Sequence, residues 1–150
     1  MSKSLLTPDT SIKVSSTLDK SVGKRHLLDG NPETCWTSQQ GLPQYIQLDF
    51  SERIIPESVY LTFQGGFVGT RCAVKVAILP DNSDGPSGSN WQLSTYVFPE
   101  DINGQQKFPL KTESAVKNGI EKLRLEFEES SDFFGRITLY DLQLHGTTVQ

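Results

Sequence analysis

Three stretches of the sequence alternate apolar and polar side chains with a period of two. They are residues 45–50, 59–63 and 123–128, with Ile46, Val59 and Leu123 as the first apolar residue of each. Side chains of an extended strand point alternately to its two faces, so this period predicts strands with one buried face. A chain built from such segments must cover their apolar faces with one another.

Further short apolar runs between turn-forming residues predict more strands at 11–16, 71–79, 91–98, 107–110 and 136–145, and the stretch 123–128 continues a strand opened by Asn118-Gly119. Pro56 predicts the start of the strand at 59–63. Residues 26–28 predict a single helical turn. About eight strands without a convincing helix predict an all-β antiparallel sandwich, formed by residues 1–150 as one domain.

Composition and charge exclude several functional classes. The chain has 12 Gly and 8 Pro, which favours many turns over long helices. Its formal net charge of −4 argues against a nonspecific nucleic-acid binder. No stretch is long and apolar enough to predict a membrane span, and the N-terminus does not read as a signal peptide. Cys35 and Cys72 lie in apolar segments, where we expect free thiols, as in a reducing compartment.

The segment 26–38 contains an oxygen-rich turn. Asp29-Gly30 bends the chain, Asn31 and Thr34 follow within five residues, and Trp36 comes next. Oxygen ligands at this density suit a hard cation such as calcium. The alternative is a purely structural turn, in which Asp29 and Thr34 bond to backbone amides and Trp36 anchors the core.

Catalytic motifs are missing from the sequence. There is no nucleophile elbow and no metal-binding His pair, and Cys35 lacks the basic neighbours of an activated thiol. The sequence therefore predicts a protein that is not an enzyme.

The motif Asp29-Gly30-x-x-x-Thr34-x-Trp36, followed by Gln44, Tyr45, Ile46, Leu48 and Asp49, resembles the signature of galactose-binding-like jelly-roll sandwiches. This superfamily includes the discoidin and coagulation-factor C domains. The resemblance implies a structural Ca²⁺ held by the side chains of Asp29 and Thr34, by the carbonyls of His26, Asn31, Thr34 and Tyr140, and by Asp141. Relatives usually place Glu at the last position. The alternative is that Asp141 bonds to backbone amides or to His26.

Five blocks in order along the chain resemble a narrower family, the small intracellular proteins associated with a testicular orphan nuclear receptor. They are residues 23–27, 33–36, 63–67, 98–101 and 132–136. The resemblance implies a non-catalytic binder, located in the nucleus or cytoplasm, whose protein partner is a nuclear receptor and which represses transcription by it. An intraflagellar-transport subunit of the same fold, with a similar Asn-Pro-Glu-Thr-x-Trp turn, is the alternative in the binding class.

Phe67 and Phe133 fall in short loops rather than at alternating strand positions, and Arg136 follows the second loop. Exposed aromatics with an Arg are typical of protein-binding hot spots, so these three residues predict the partner-binding face. The alternative is that Phe133 and Phe134 plug one end of the sandwich. A carbohydrate-binding module would use the same residues with Trp91, but a glycan ligand is not expected without a secretory signal.

Overall fold

The computed structural model of the protein describes residues 2–31, 33–77, 91–110 and 119–149. Within these ranges the chain forms nine strands and two 3-10 helical turns. The strands are β1 (Lys3–Ser4), β2 (Ser11–Val14), β3 (Trp36–Thr37), β4 (Gln44–Phe63), β5 (Arg71–Ala77), β6 (Trp91–Val97), β7 (Gly104–Pro109), β8 (Ile120–Glu129) and β9 (Thr138–Thr148), and the turns are Lys20–Val22 and Lys24–Leu27. No helix in the described ranges is long and apolar enough to cross a membrane.

The strands form two antiparallel layers that share β4. The first half of β4 pairs with β2 and β8, and the layer continues through β5 to β6. The second half of β4 pairs with β7 and β9, and β9 carries β1 and β3 along its other edge. The predicted all-β antiparallel sandwich is confirmed.

One prediction about β4 is wrong. The strands predicted at 45–50 and 59–63 are a single strand, and Pro56 lies within it, opposite Gly146 of β9. The strand changes layers between Asp49 and Ile54, where its register against β8 shifts. Pro56 is tolerated because the pairing with β9 also shifts register just after it, and a bulge does not need every backbone N–H.

The last strand, β9, has buried apolar residues that do not follow a regular alternation. The sequence puts Leu139 and Leu142 on different faces of a regular strand, yet both are buried. Thr62 of β4 pairs with Asp141 and Phe63 pairs with Leu139, so Tyr140 is an extra residue in β9. This bulge turns Leu139 back towards the core and leaves Tyr140 half-buried.

The core lies between the layers and is closed by a tryptophan. Trp36 is fully buried, and its indole N–H donates to the Ser16 carbonyl at 2.9 Å. Phe63 and Phe127 meet edge to face with ring centroids 5.7 Å apart. Cys72 is buried, Cys35 is half-buried, and both thiols are free, as predicted.

Candidate functional site

Four loops meet at one end of the sandwich, which we call the loop end: residues 39–43, 64–70, 98–103 and 130–137. The placement follows from strand pairing, because Gln44 opposite Phe127 and Phe63 opposite Leu139 both mark this end. Arg71 opposite Glu129 and Cys72 opposite Val97 bring β5 and β6 to the same end. The predicted partner-binding residues Phe67, Phe133 and Arg136 all lie in these loops.

Arg136 connects the aromatic residues of the loop end. Its guanidinium lies 5.1 Å from the centre of the Phe67 ring and 5.9 Å from that of Phe134. The same group donates from Nε to Asp132 Oδ2 at 3.0 Å. The hydrogen bond from Arg136 lowers the pKa of Asp132, and the bond to Asp132 raises the pKa of Arg136, so both groups stay charged near neutral pH.

Phe133 and Phe134 are not buried in the end of the sandwich. Phe133 is 93 % exposed and Phe134 is 54 % exposed, with the two rings edge to face at 5.3 Å. The plug alternative therefore fails for Phe133. An aromatic ring held almost entirely in solvent adds nothing to the core and is available for contact with another molecule.

Hydrogen bonds fix the loop end. The Ser131 N–H donates to the Val68 carbonyl at 2.9 Å, and the Val68 N–H donates to the Ser131 hydroxyl at 2.9 Å. The Gly41 N–H donates to the Phe134 carbonyl at 2.8 Å. Asp101 accepts from the Gly66 N–H at 2.8 Å. Each loop is thus bonded to a neighbouring one, which reduces the entropy that a partner would have to remove on binding.

The sequence interpretation did not single out three other exposed apolar residues of this end, Leu42, Phe98 and Ile102. Leu42 and Phe98 each precede a proline, and Ile102 precedes the Asn103-Gly104 turn. Positions beside such turn residues lie outside the strands, so an apolar side chain there has no alternating face to occupy. An apolar residue directly before a proline or an Asn-Gly turn was therefore the sequence signal that could have identified these three positions.

The predicted metal residues divide into two groups. His26, Asp29, Asn31 and Thr34 come together in the turn: Thr34 Oγ1 lies 2.6 Å from Asp29 Oδ2 and 3.1 Å from the Asn31 carbonyl oxygen. The bonds from the Thr34 hydroxyl, the Asn31 N–H and His26 lower the pKa of Asp29 to about 2, so its carboxylate is ionised at neutral pH. These bonds are also those of the structural-turn alternative.

Tyr140 and Asp141 stand beside this turn on β9. Asp141 and Gly30 both line two adjoining cavities of about 500 and 510 Å³. Asp141 accepts from the Gln143 amide at 2.9 Å and forms no hydrogen bond with His26, within the described residues. The same part of the chain contains no group of three His, Cys, Asp or Glu side chains able to hold a metal, so a cation here would need hydroxyl and carbonyl oxygens in addition to carboxylates.

The carbohydrate candidates do not all converge. Trp91 pairs with Ala77 at the far end of β6, whereas Val97 of the same strand pairs with Cys72 at the loop end. Six residues of strand separate them, about 20 Å at the usual rise. The Trp91 ring instead lies against the Arg124 guanidinium at 4.9 Å, with Tyr45 on that same group at 4.4 Å. Trp91 is therefore part of a sheet-face stack and not of the loop end.

The two thiols show no sign of activation. Burial raises the pKa of the Cys72 thiol far above its usual range, which keeps it protonated. Cys35 Sγ lies 3.7 Å from the Thr37 hydroxyl and has no basic partner among the described residues.

Comparison with solved structures shows the fold. A C-terminal domain of a chitobiase from Bacteroides fragilis superposes with a TM-score of 0.75 at 18% identity, covering 99% of this chain and 100% of that one. A family 32 carbohydrate-binding module from Clostridium perfringens NanJ, solved with galactose, gives 0.72 at 14% identity, covering 97% and 99%. An F5/8 type C domain from B. fragilis gives 0.73 at 12% identity, covering 99% and 98%. The fold is galactose-binding-like.

Comparison with known sequences shows the family. The Sad1 / UNC-like C-terminal family matches residues 12–148, a relationship that the sequence interpretation did not anticipate. Nuclear receptor 2C2-associated protein of Danio rerio is 37% identical over 149 residues, covering 97% of each chain. The proteins of that name from Xenopus tropicalis (38% over 149 residues, 97% of this chain and 100% of that one) and Homo sapiens (35% over 152 residues, 99% and 100%) are similarly close. The chain belongs to the Sad1 / UNC-like C-terminal family and to the family of nuclear receptor 2C2-associated proteins.

Proposed function

We propose that the chain is a non-catalytic protein-interaction module of the nucleus or cytoplasm that associates with a nuclear receptor and represses its transcriptional activity. The relatives' name supports the partner class. The observation that carries the interaction face is the Phe133–Phe134 pair, exposed to solvent yet held by loops bonded to one another. Phe67 and Arg136 form the base of this face, because the Arg136 guanidinium packs on the rings of Phe67 and Phe134.

We expect Phe133→Ala to weaken binding of the immobilised chain to purified nuclear receptor 2C2 by at least tenfold. Exposed aromatics at the centre of an interface often contribute ~2 kcal/mol or more, and tenfold in affinity is ~1.4 kcal/mol. The measurement is surface plasmon resonance. Leu93→Ala is the matched control, since Leu93 is also exposed but lies on β6 away from the loops, and its affinity should stay within about twofold of wild type.

Three results would contradict the proposal in different ways. If the receptor does not bind the wild-type chain, the receptor is not the partner, and co-purification with ciliary proteins would favour the intraflagellar-transport alternative. If Phe133→Ala binds like wild type, the face lies elsewhere. Titration with galactose distinguishes the remaining class, because saturable binding that requires Arg136 would make the loop end a sugar site. A reporter assay driven by the receptor tests repression separately.

We also propose a structural calcium ion at the Asp29 turn. The convergence of the Asp29 carboxylate, the Thr34 hydroxyl and the Asn31 carbonyl supports it, because the carboxylate and carbonyl oxygens lie 2.6 and 3.1 Å from Thr34 Oγ1, and clustered oxygens of these kinds are the ligands that calcium prefers. Asp29 and Thr34 would hold the ion with carbonyls of the turn, and Asp141 would approach from β9. The ion would fix the segment that leads into Trp36.

At calcium tenfold above its Kd, we expect the melting temperature to exceed that in chelator by about 3–6 °C. A ligand that binds only the native state at that concentration stabilises it by ~1.4 kcal/mol, and ~1 kcal/mol corresponds to about 2–4 °C for a chain of this size. Differential scanning calorimetry with Ca²⁺ against EGTA measures the shift, and Asp29→Asn should abolish it. Equal melting temperatures at millimolar calcium would leave the turn to its own hydrogen bonds.

A further inference from the structure

Exposed apolar side chains are concentrated at the loop end and its border. The described residues include eight large hydrophobic side chains that are exposed, and six of these lie here. Leu18 belongs to the group because its N–H donates to the Thr37 carbonyl, and Thr37 pairs with Thr138 at the start of β9. The six are Leu18, Leu42, Phe98, Ile102, Phe133 and Phe134.

The positions of these side chains are fixed by more than one bond. The loop that carries Ile102 is joined to the Phe67 loop, because Asn103 Oδ1 accepts from the Gly65 N–H at 2.8 Å. Phe98 stacks on Tyr96 with ring centroids 6.2 Å apart, and Tyr96 in turn lies against Arg71. An apolar surface held this way does not collapse onto itself, so it stays available to a partner.

The charge around this surface is negative. Arg71 and Arg136 are already paired, Arg71 with Glu128 at 2.9 Å and Arg136 with Asp132 at 3.0 Å. Glu100, Asp101 and Glu129 add three exposed carboxylates. Glu129 shares the attraction of Arg71 with Glu128, and Glu100 and Asp101 form no ion pair within the described residues, while Asp19 and Lys20 beside Leu18 offset each other. The loops 39–43 and 64–70 contain no charged residue. The border of the apolar surface therefore carries surplus negative charge.

We infer that the loop end binds a segment of a partner protein in which apolar side chains are flanked by Lys or Arg. This inference rests on the proposed function and adds the chemistry of the partner to it. Apolar anchors would contact Phe133, Phe134 and their neighbours, and the flanking cations would face Glu100 and Glu129. Opposite charges at the rim of an interface raise the association rate and exclude acidic competitors. The same carboxylates repel anionic lipid and nucleic-acid phosphate.

The test is selection of peptides from a random library displayed on phage, using the immobilised full chain, with a Phe133→Ala, Phe134→Ala variant to remove unrelated binders. We expect the selected peptides to carry at least two Lys or Arg beside apolar residues. Glu100→Lys, Glu129→Lys should weaken them at least tenfold by fluorescence anisotropy, and raising salt should do the same. The control is Glu52→Lys, Glu121→Lys, which reverses two exposed carboxylates at the opposite end and should change affinity less than twofold.

The outcomes separate this inference from the proposed function. Peptides that need Phe133 but are acidic, or are indifferent to charge reversal and salt, would overturn the partner chemistry and leave the interaction face intact. If neither peptide binding nor receptor binding depends on Phe133, both the partner chemistry and the proposed interaction face are wrong. Phe133-dependent binding to phosphatidylcholine–phosphatidylserine vesicles would make the surface a lipid site instead. A dimer in sedimentation velocity that Phe133→Ala dissolves would make the occupant a second copy of the chain.

Discussion

Trp36→Ala is expected to lower the free energy of unfolding by about 3–5 kcal/mol, the range for deleting a large buried aromatic side chain. Trp36 is fully buried and connects two parts of the sandwich: its strand pairs with Leu139 of β9, and its indole N–H bonds to the Ser16 carbonyl beyond β2. Small domains have only about 5–15 kcal/mol of stability in total. The expected fall in melting temperature is about 6–20 °C.

Chemical denaturation followed by circular dichroism measures this loss, and two variants locate its cause. Trp36→Phe keeps an aromatic ring but leaves the Ser16 carbonyl without its donor, so it should cost less than Trp36→Ala. Trp91→Ala removes the other tryptophan, which is half-buried on a sheet face, and should cost clearly less as well. If Trp36→Ala lowered the free energy of unfolding by less than about 1 kcal/mol, the Trp36 side chain would not be a main source of stability in the core.

The local sequence pattern predicts the strands that form the two layers, but it does not predict that β4 passes from one layer to the other. Alternation at 45–50, 59–63 and 123–128 predicts strands because a half-buried strand must repeat every second residue. It does not reveal that the first two stretches are one strand, since a bend between layers depends on partners far along the chain. Pro56 accounts for the wrong prediction. A proline usually lies at the start of a strand, but here the bulge in the pairing with β9 allows it within the strand.

The candidate site was predictable in part for a related reason. Phe67 and Phe133 were recognisable as residues outside the alternating pattern, and Arg136 was included because it follows the second loop. The structure places Arg136 against the rings of Phe67 and Phe134, with Phe133 edge to face on Phe134. Phe98 was not recognised because it was assigned to the predicted strand at 91–98, which ends at Val97 in the structure. Leu42 was not recognised because only the closing of the sandwich brings its loop to the same end as the others. The bulge at Tyr140 was equally hidden, since one extra residue in β9 becomes visible only against the register of β4. Contacts between distant segments, rather than local preference, decide such features.

Gly146→Ala is expected to destabilise the protein by about 1–3 kcal/mol or more, the cost of forcing extra volume into a packed site. Gly146 lies between Lys3 of β1 and Pro56 of β4, where the sheet has its bulge. A methyl group there would lie far inside van der Waals contact with the Ile55 carbonyl oxygen, 3.0 Å from the Pro56 Cα and 2.9 Å from Leu5 Cδ1. Backbone cannot move aside as a flexible side chain can, so β4 and β9 must separate locally.

Gly23→Ala is the matched control, because a Cβ at Gly23 meets only the Lys20 carbonyl at 3.9 Å and the residue has an ordinary φ of −79°. It should change stability by less than about 1 kcal/mol, or raise it slightly by restricting the unfolded chain. Hydrogen exchange adds a local readout: in Gly146→Ala the Leu5 N–H, which donates to the Leu144 carbonyl at 2.8 Å, should lose protection before the amides of β8. Equal stability of the two variants would mean that the register of β4 against β9 adapts to a side chain at 146, and the bulge after Pro56 would then not depend on glycine.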